Sequence, residues 1–359
     1  MSAVRLHVVV PGPIDQQTGG YIYDRRMVDG LRARGWQVAV HSRAGAFPAT
    51  GAGARERLAA ALAGLPDGAR VIIDGLALGG LPGPVRAERA RLRILALVHH
   101  PLADETGLDA PRRATFEALE REALAACAGV LVTSAFTARR LEAYGVAPVR
   151  VRAVLPGTDP APLAEGPEPG APPLLLSVGS VTPRKGQRLL AAALAGLAAL
   201  PWRCICAGSL ERDPGYAAEV AALARAHGLA GRLRFAGECG ADELDRLYHR
   251  ASLFVLPSHY EGYGMAFAEA LARGLPVVGT TGGAIPHTVP ADAGVLVPPG
   301  DESALAAALE RLLVQPDGAG RRRTLAAAAR RHAGELPAWP EAARRLADAP
   351  LALAPDGGA

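Results

Sequence analysis

Short apolar runs of strand length alternate with longer helix-period stretches from the first residues of this chain to almost residue 300, and that alternation restricts the fold more than any other feature. Such a rhythm is the signature of βαβ units and a parallel sheet. In the first half, residues 6–10, 38–41, 71–73, 94–98, 130–132 and 151–155 read as strands, with helical segments such as 22–34 and 112–126 between most of them. Residues 156–173 then carry seven prolines among Gly, Glu and Asp without apolar periodicity. Neither a helix nor a central strand suits that composition, which marks an interdomain linker. The alternation restarts with strands at 174–178, 204–207, 233–235, 253–256, 277–278 and 295–297. The expected fold class is α/β, with two Rossmann-like doubly wound domains facing a central cleft. The expected boundaries are 1–160 for the first domain, 161–173 for the linker, 174–335 for the second domain, and 336–359 for a helix packing back on the first domain, followed by a tail.

Composition removes several function classes. Half of the 359 residues are hydrophobic but only 4% are aromatic, so Ala, Leu and Val fill the interior, as suits helices on parallel sheets. The formal charge of +4 is small and Arg is scattered, so no nucleic-acid groove is expected. The basic run of Arg321, Arg322 and Arg323, with Arg330 and Arg331 after it, reads as a solvated helix face. Cys127, Cys204, Cys206 and Cys239 lack metal-ligand spacing and read as reduced core thiols. Residues 1–10 have no leader-like apolar core, and no apolar stretch of membrane-spanning length follows, so the expected location is cytoplasmic. Peripheral membrane contact through Arg86, Arg89, Arg91 and Arg93 is a reading that a solvated helix and strand edge accounts for better.

Chemistry on such folds sits in the loops after the strands. Ser177-Val178-Gly179-Ser180-Val181-Thr182-Pro183-Arg184-Lys185-Gly186 leaves a buried strand, turns, and presents two adjacent cations just before a helix. Arg offers a fork and Lys a point charge, so Arg184 and Lys185 suit a diphosphate that needs neutralising as it departs, without a metal; an exposed basic turn is the plain alternative. Glu261-Gly262-Tyr263-Gly264-Met265-Ala266-Phe267-Ala268-Glu269 follows the strand at 253–256. Its glycines permit close backbone approach, the helix opening after Gly264 offers free N–H groups to an anion, and its two carboxylates suit different hydroxyls of one ligand. Thr281-Gly282-Gly283-Ala284-Ile285-Pro286 makes another tight turn after a strand. Gly19-Gly20 opens the first helix, where backbone can approach a phosphate or an acceptor, or simply turn. Val98-His99-His100-Pro101 ends a strand, where a histidine can orient or exchange protons with hydroxyls, or merely cap.

Together these segments resemble the retaining family-4 glycosyltransferases of the GT-B fold, over residues 174–300 by motif order and over the first half by topology, Gly20 and His99. The E-x7-E pair, Glu261 and Glu269, is the hallmark. The resemblance implies a metal-independent hexosyltransferase with no cofactor, the nucleotide-diphosphate sugar being a substrate. It implies that the first domain takes the acceptor and the second the donor. Lys185 and Arg184 would bind the diphosphate, Glu261 would contact the transferred sugar and Glu269 the ribose. Gly179, Ser180, Gly262, Tyr263, Gly264 and Met265 would line the donor. Gly20 would admit the phosphate, and His99 would lie near the donor sugar. Asp104 and Glu105, with Thr106, are acceptor-side candidates, a helix-start role being an equal alternative. Two departures stand out: Ser180 where many relatives carry Arg, for which Arg184 is the proposed substitute, and His287 where relatives usually carry Glu. Two other functions stay open, a sugar-nucleotide epimerase or phosphorylase of the same fold, and a non-catalytic nucleotide-sugar-binding protein.

Overall fold

A computed structural model describes residues 4–43, 52–314 and 317–354. Residues 1–3 of the leader reading and 355–359 of the expected tail lie outside the described residues. The chain divides into two compact units, Met1–Gly157 with Pro337–Ala359, and Thr158–Leu336.

The first unit holds strands β1 (Arg5–Pro11), β2 (Gln37–Arg43), β3 (Arg70–Asp74), β4 (Arg93–Val98), β5 (Gly129–Val132) and β6 (Val151–Ala153). They pair in the order β2-β1-β3-β4-β5-β6, every pairing parallel. Helices α1 (Gly19–Ala33), α2 (Ala52–Ala63), α3 (Gly75–Leu78), α4 (Pro82–Glu88), α5 (Ala110–Ala126) and α6 (Ala135–Arg140) connect them. Sheets of this type are covered on both faces, which is why β4 after Arg93, and β5, are continuously apolar rather than alternating.

The second unit repeats the plan with β7 (Leu174–Val178), β8 (Arg203–Ala207), β9 (Leu233–Gly237), β10 (Leu253–Val255), β11 (Val277–Thr280) and β12 (Gly294–Val297). Their order is β12-β11-β10-β7-β8-β9, again all parallel. Its helices are α7 (Gln187–Ala195), α8 (Pro214–Ala226), α9 (Ala241–Arg250), α10 (Met265–Ala272), α11 (Ile285–Thr288), α12 (Glu302–Leu313) and α13 (Asp317–Ala333). Two apolar clusters fill its core, one around Trp202 and Leu309 and one around Phe254 and Phe267. The last helix, α14 (Trp339–Leu353), belongs to the first unit. Gly30 of α1 admits it, because a Cβ there would lie 2.5 Å from the Ala343 Cβ.

The Pro-rich segment belongs to the second unit rather than standing apart. Ala164 N–H donates to the Arg273 carbonyl at 2.9 Å, and Glu165 N–H to that of His249 at 2.9 Å. The arginine run falls on α13, but Arg322 turns inward and donates to the Leu312 carbonyl, so that face is only partly solvated. Three of the four cysteines are buried and Cys239 is half-buried; burial pushes the Cys127 thiol up to about 12, which keeps it protonated and unreactive. Among the described residues no helix is long and apolar enough to cross a membrane.

In each sheet the chain lays strands to one side, then returns and continues on the other. The reversal falls between β1 and β3 in the first unit and between β7 and β10 in the second. Loops leaving the carboxyl ends of those strands splay apart there, and that crevice is where doubly wound sheets take ligands.

Candidate functional site

In the second unit the loops after β7 and β10 flank the reversal, and they carry the two main sequence motifs. After Val178 the chain turns at Gly179 and forms a short 3-10 turn, Pro183–Lys185, closed by Gly186 in the left-handed region at φ +73°. Lys185 folds back over Gly179, whose Cβ position would lie 3.3 Å from the Lys185 Cε. Its Nζ donates to Glu261 Oε1 at 2.6 Å, and Arg184 reaches Glu261 Oε2 at 3.4 Å. Backbone contacts lock the two loops together: His259 N–H donates to the Arg184 carbonyl at 2.7 Å, and the Arg184 guanidinium to the Tyr260 carbonyl at 3.0 Å. Gly282 and Gly283, after β11, press on the same loop, since Cβ atoms there would meet the His259 and Glu261 carbonyls at 2.2 and 2.3 Å. That turn therefore supports Glu261 from beneath. Ser180 contributes its carbonyl, which accepts from Gln187 Nε2 at 3.0 Å.

Burial alone would raise the Glu261 carboxyl. The Lys185 and Arg184 charges, with hydrogen bonds from Lys185 and from Ser258 Oγ at 2.6 Å, override it and hold the group down to about 2. Glu261 is thus an acceptor-only carboxylate at neutral pH. A carboxyl whose folded value lies below its ordinary one stabilises the fold above that ordinary value, 4.5, and loses the contribution as pH falls toward about 2. The shift is worth about 3 kcal/mol. Urea unfolding between about pH 6 and pH 3 should therefore show a steep loss of stability in the wild type and a shallower one in Glu261→Gln. Equal slopes would mean that Glu261 is not the titrating group.

Gly264, at φ +92°, precedes α10; its carbonyl accepts from Phe267 N–H at 3.0 Å, which leaves the Met265 and Ala266 N–H groups without an intrahelical acceptor. Met265 opens that helix. Gly262 and Tyr263 complete the loop, but the Tyr263 ring is buried and its carbonyl accepts from Thr288 Oγ1 at 2.5 Å, which leaves backbone rather than phenol for any ligand. Glu269 lies on α10, where Tyr248 O–H donates to Oε2 at 3.0 Å. Burial raises the Glu269 carboxyl, against the Tyr248 hydrogen bond and the nearby Arg273 charge.

In the first unit a second group of side chains gathers at the reversal. His99 directly follows β4, Asp74 ends β3, and Asp24 projects from α1, which follows β1. His99 Nε2 lies 3.2 Å from Asp24 Oδ1 and 3.3 Å from Asp74 Oδ2. Gly20 makes room for the ring, since a Cβ there would lie 3.3 Å from His99 Cδ2. His100 instead turns to Glu105, 3.3 Å away. Asp104 gives both carboxylate oxygens to the Arg140 fork at 3.0 and 2.8 Å, an ion pair that ties the loop after β4 to α6. Glu105 is the more open of the two acceptor-side candidates, with 39% of its side chain exposed against 9% for Asp104.

Sequence reasoning missed Ser258, Tyr248, Asp24 and Asp74. One signal was available: Asp24 sits at the core spacing of α1 with Met27, Val28 and Leu31, all buried, so an acid occupies a position where an apolar residue belongs. Asp74 closes an apolar strand and caps α3, accepting from Leu76 N–H at 2.7 Å. Nothing local marks Ser258 or Tyr248.

The family model described as Glycosyltransferase Family 4 matches residues 19–162, and the one described as Glycosyl transferases group 1 matches residues 163–332. The D-inositol 3-phosphate glycosyltransferase of Salinispora tropica is 35% identical over 237 residues, which are 58% of this chain and 47% of that relative. The chain thus spans about half the length of that relative. Among solved structures, sucrose-phosphate synthase from Thermosynechococcus elongatus superposes with a TM-score of 0.80 at 23% identity, covering 96% of this chain and 98% of that one. Anabaena HepE in complex with UDP and glucose superposes with a TM-score of 0.72 at 16% identity over the same shares. At such identities the likeness is one of fold.

Proposed function

This chain belongs to the family-4, group 1 glycosyltransferases and has their GT-B fold, and on that premise we propose that it moves a hexosyl unit from a nucleotide-diphosphate sugar to an acceptor hydroxyl with retention at the anomeric carbon. The observation that carries the reading is the meeting of Lys185, Arg184 and Glu261 at the strand reversal of the second unit. Both cations keep part of their side chains open, 17% for Lys185 and 20% for Arg184, so they can turn from Glu261 to a diphosphate. As the anomeric C–O bond breaks, negative charge grows on the departing diphosphate; Arg184, Lys185 and the first N–H groups of α10 stabilise it. The acceptor oxygen bonds the anomeric carbon from the same face, and its proton passes to the departing phosphate oxygen. Glu261, ionised, accepts hydrogen bonds from hydroxyls of the transferred sugar, and Glu269 accepts from the ribose. Gly179, Ser180, Gly262, Gly264 and Met265 line the donor with backbone. On the first unit the candidates for ligand contact are Gly20, His99 and, for an acceptor, Glu105, Asp104 being committed to Arg140.

UDP sugars are the first donors to test, because HepE was solved with UDP and glucose. D-inositol 3-phosphate is the first acceptor, from the names of the relatives. Incubation with UDP, GDP and ADP sugars should release nucleoside diphosphate only when an acceptor is added, and the product's anomeric proton coupling should match the donor's. Appearance of an epimerised nucleotide sugar would replace transfer with epimerisation. Tight donor binding without turnover over many acceptors would make the chain a binding protein.

A further inference from the structure

His99 Nε2 is shared between two carboxylates that come from separate segments of the first unit, and neither acid belongs to the sequence motifs. Both acids are buried, Asp24 at 2% and Asp74 at 4% exposure. Asp74 has other support, since its Oδ1 accepts from the Leu76 N–H. Asp24 does not: its Oδ2 is buried with no hydrogen-bond partner, and of the two side chains that act on this carboxyl, His99 and the Asp74 carboxyl, His99 is the one that offers positive charge. A buried carboxylate left without a cation is strongly unfavourable. A neutral ring would also point a nitrogen lone pair at two oxyanions if the proton sat on Nδ1. The geometry therefore requires a proton on Nε2, and two negative charges beside the ring favour the second proton on Nδ1 as well.

The rest of the surroundings fix the ring without titrating it. The Tyr23 ring meets it edge-on at 5.4 Å, while the Tyr23 phenol turns away to donate to the Val154 carbonyl at 3.0 Å. Thr133 Oγ1 donates to the His99 carbonyl at 3.3 Å, and Gly20 faces the ring with no side chain. Asp24 and Asp74 are the titratable groups facing His99 from α1 and β3, the Tyr23 phenol being turned away; Thr133, just after β5, is a further neighbour. One fifth of the side chain remains open.

We propose that Asp24 and Asp74 are positioning residues that hold His99 as an imidazolium, with the Nδ1–H as a fixed donor to an electron-rich substrate oxygen, so that His99 contributes positive charge and a hydrogen bond and never acts as a base. This deepens the sugar-transfer reading and rests on it for the identity of the oxygen, a sugar hydroxyl or a phosphate oxygen. Burial by itself would lower the imidazole; Asp24 first and then Asp74 overcome that and hold it at about 10, against an ordinary 6.5. The cation is therefore present throughout the neutral range and lost only as pH rises through about 10.

Two-dimensional NMR of 15N-labelled imidazoles tests the charge, and the pH profile of kcat tests the role. In the wild type both His99 ring nitrogens should stay protonated through about pH 8.5, with kcat level over that range. In Asp24→Asn/Asp74→Asn the ring should titrate near neutrality, and kcat should fall about 10–100-fold above that point while KM moves less than about threefold. A neutral His99 in the wild type at about pH 8 would overturn the proposal, and that spectrum decides the matter even if the double variant fails to fold. A shifted ring titration with an unchanged kcat profile would equally overturn the positioning role. EDTA should leave the His99 signals in place; a shift would mean that a metal, not a proton, balances the two acids. If the wild type transfers no sugar with any donor, the functional reading fails, and the ring spectrum still reports whether the charge lock exists.

Discussion

Lys185→Ala is expected to reduce sugar transfer about 10³-fold in kcat, since a cation aimed at the departing diphosphate acts mainly when charge develops there. The same substitution removes the 2.6 Å contact to Glu261 and leaves that carboxylate with Arg184 at 3.4 Å and the Ser258 hydroxyl. Breaking a fully buried pair costs roughly 3–5 kcal/mol. Water reaches part of Lys185, so about 2–3 kcal/mol is the better figure here. The variant should therefore melt several degrees lower yet remain folded. Nucleoside diphosphate release measured at saturating donor separates the two effects, because instability alone lowers the active fraction without changing kcat per folded molecule. Lys185→Arg retains the charge and serves as the control for electrostatics. Transfer by Lys185→Ala within about tenfold of wild type would remove Lys185 from the catalytic machinery.

Gly186→Ala should be as damaging through the backbone. Gly186 sits at φ +73°, which disfavours any side chain by about 1–2 kcal/mol. The added Cβ would also lie 2.2 Å from the Pro257 carbonyl oxygen, so one of the two strand-end loops must move. We expect a loss of roughly 3–4 kcal/mol in urea unfolding, beyond the φ cost alone. The consequence for function is more specific. The loop after β7 carries Lys185 and the loop after β10 carries Glu261, so separating them should weaken nucleotide-diphosphate binding at least about tenfold even where the variant is folded. Gly215→Ala is the comparison: that glycine lies in the first turn of α8, and its added Cβ meets nothing closer than 3.7 Å, so stability and binding should change little. Equal behaviour of the two variants would show that the contact with Pro257 does not hold the loops together.

The strands were legible because parallel sheets bury both faces. Runs such as 94–98 and 253–256 have to be apolar without interruption, and they were found to within one or two residues. The cationic turn and the E-x7-E segment were legible for a different reason: glycines, adjacent cations and acids placed right after buried strands have few uses other than binding. Asp24 was readable in principle, an acid on the buried stripe of α1, but helix periodicity gives no indication of what it faces. Asp104 illustrates the opposite case. Its type and place suited acceptor binding, and a distant arginine, 36 residues along the chain, takes both its oxygens.

The linear chain settles on its own the α/β class, the strand segments and the loops in which chemistry must sit, because these follow from local periodicity and turn chemistry. The folded structure alone decides which of those residues meet. Strand order sets β7 beside β10, and with it Lys185 against Glu261, 76 positions away. It likewise brings Asp24, Asp74 and His99 to one point from three separate segments. A buried charge needs a partner whatever its place in the sequence, and only the sheet's order of pairing determines where that partner lies.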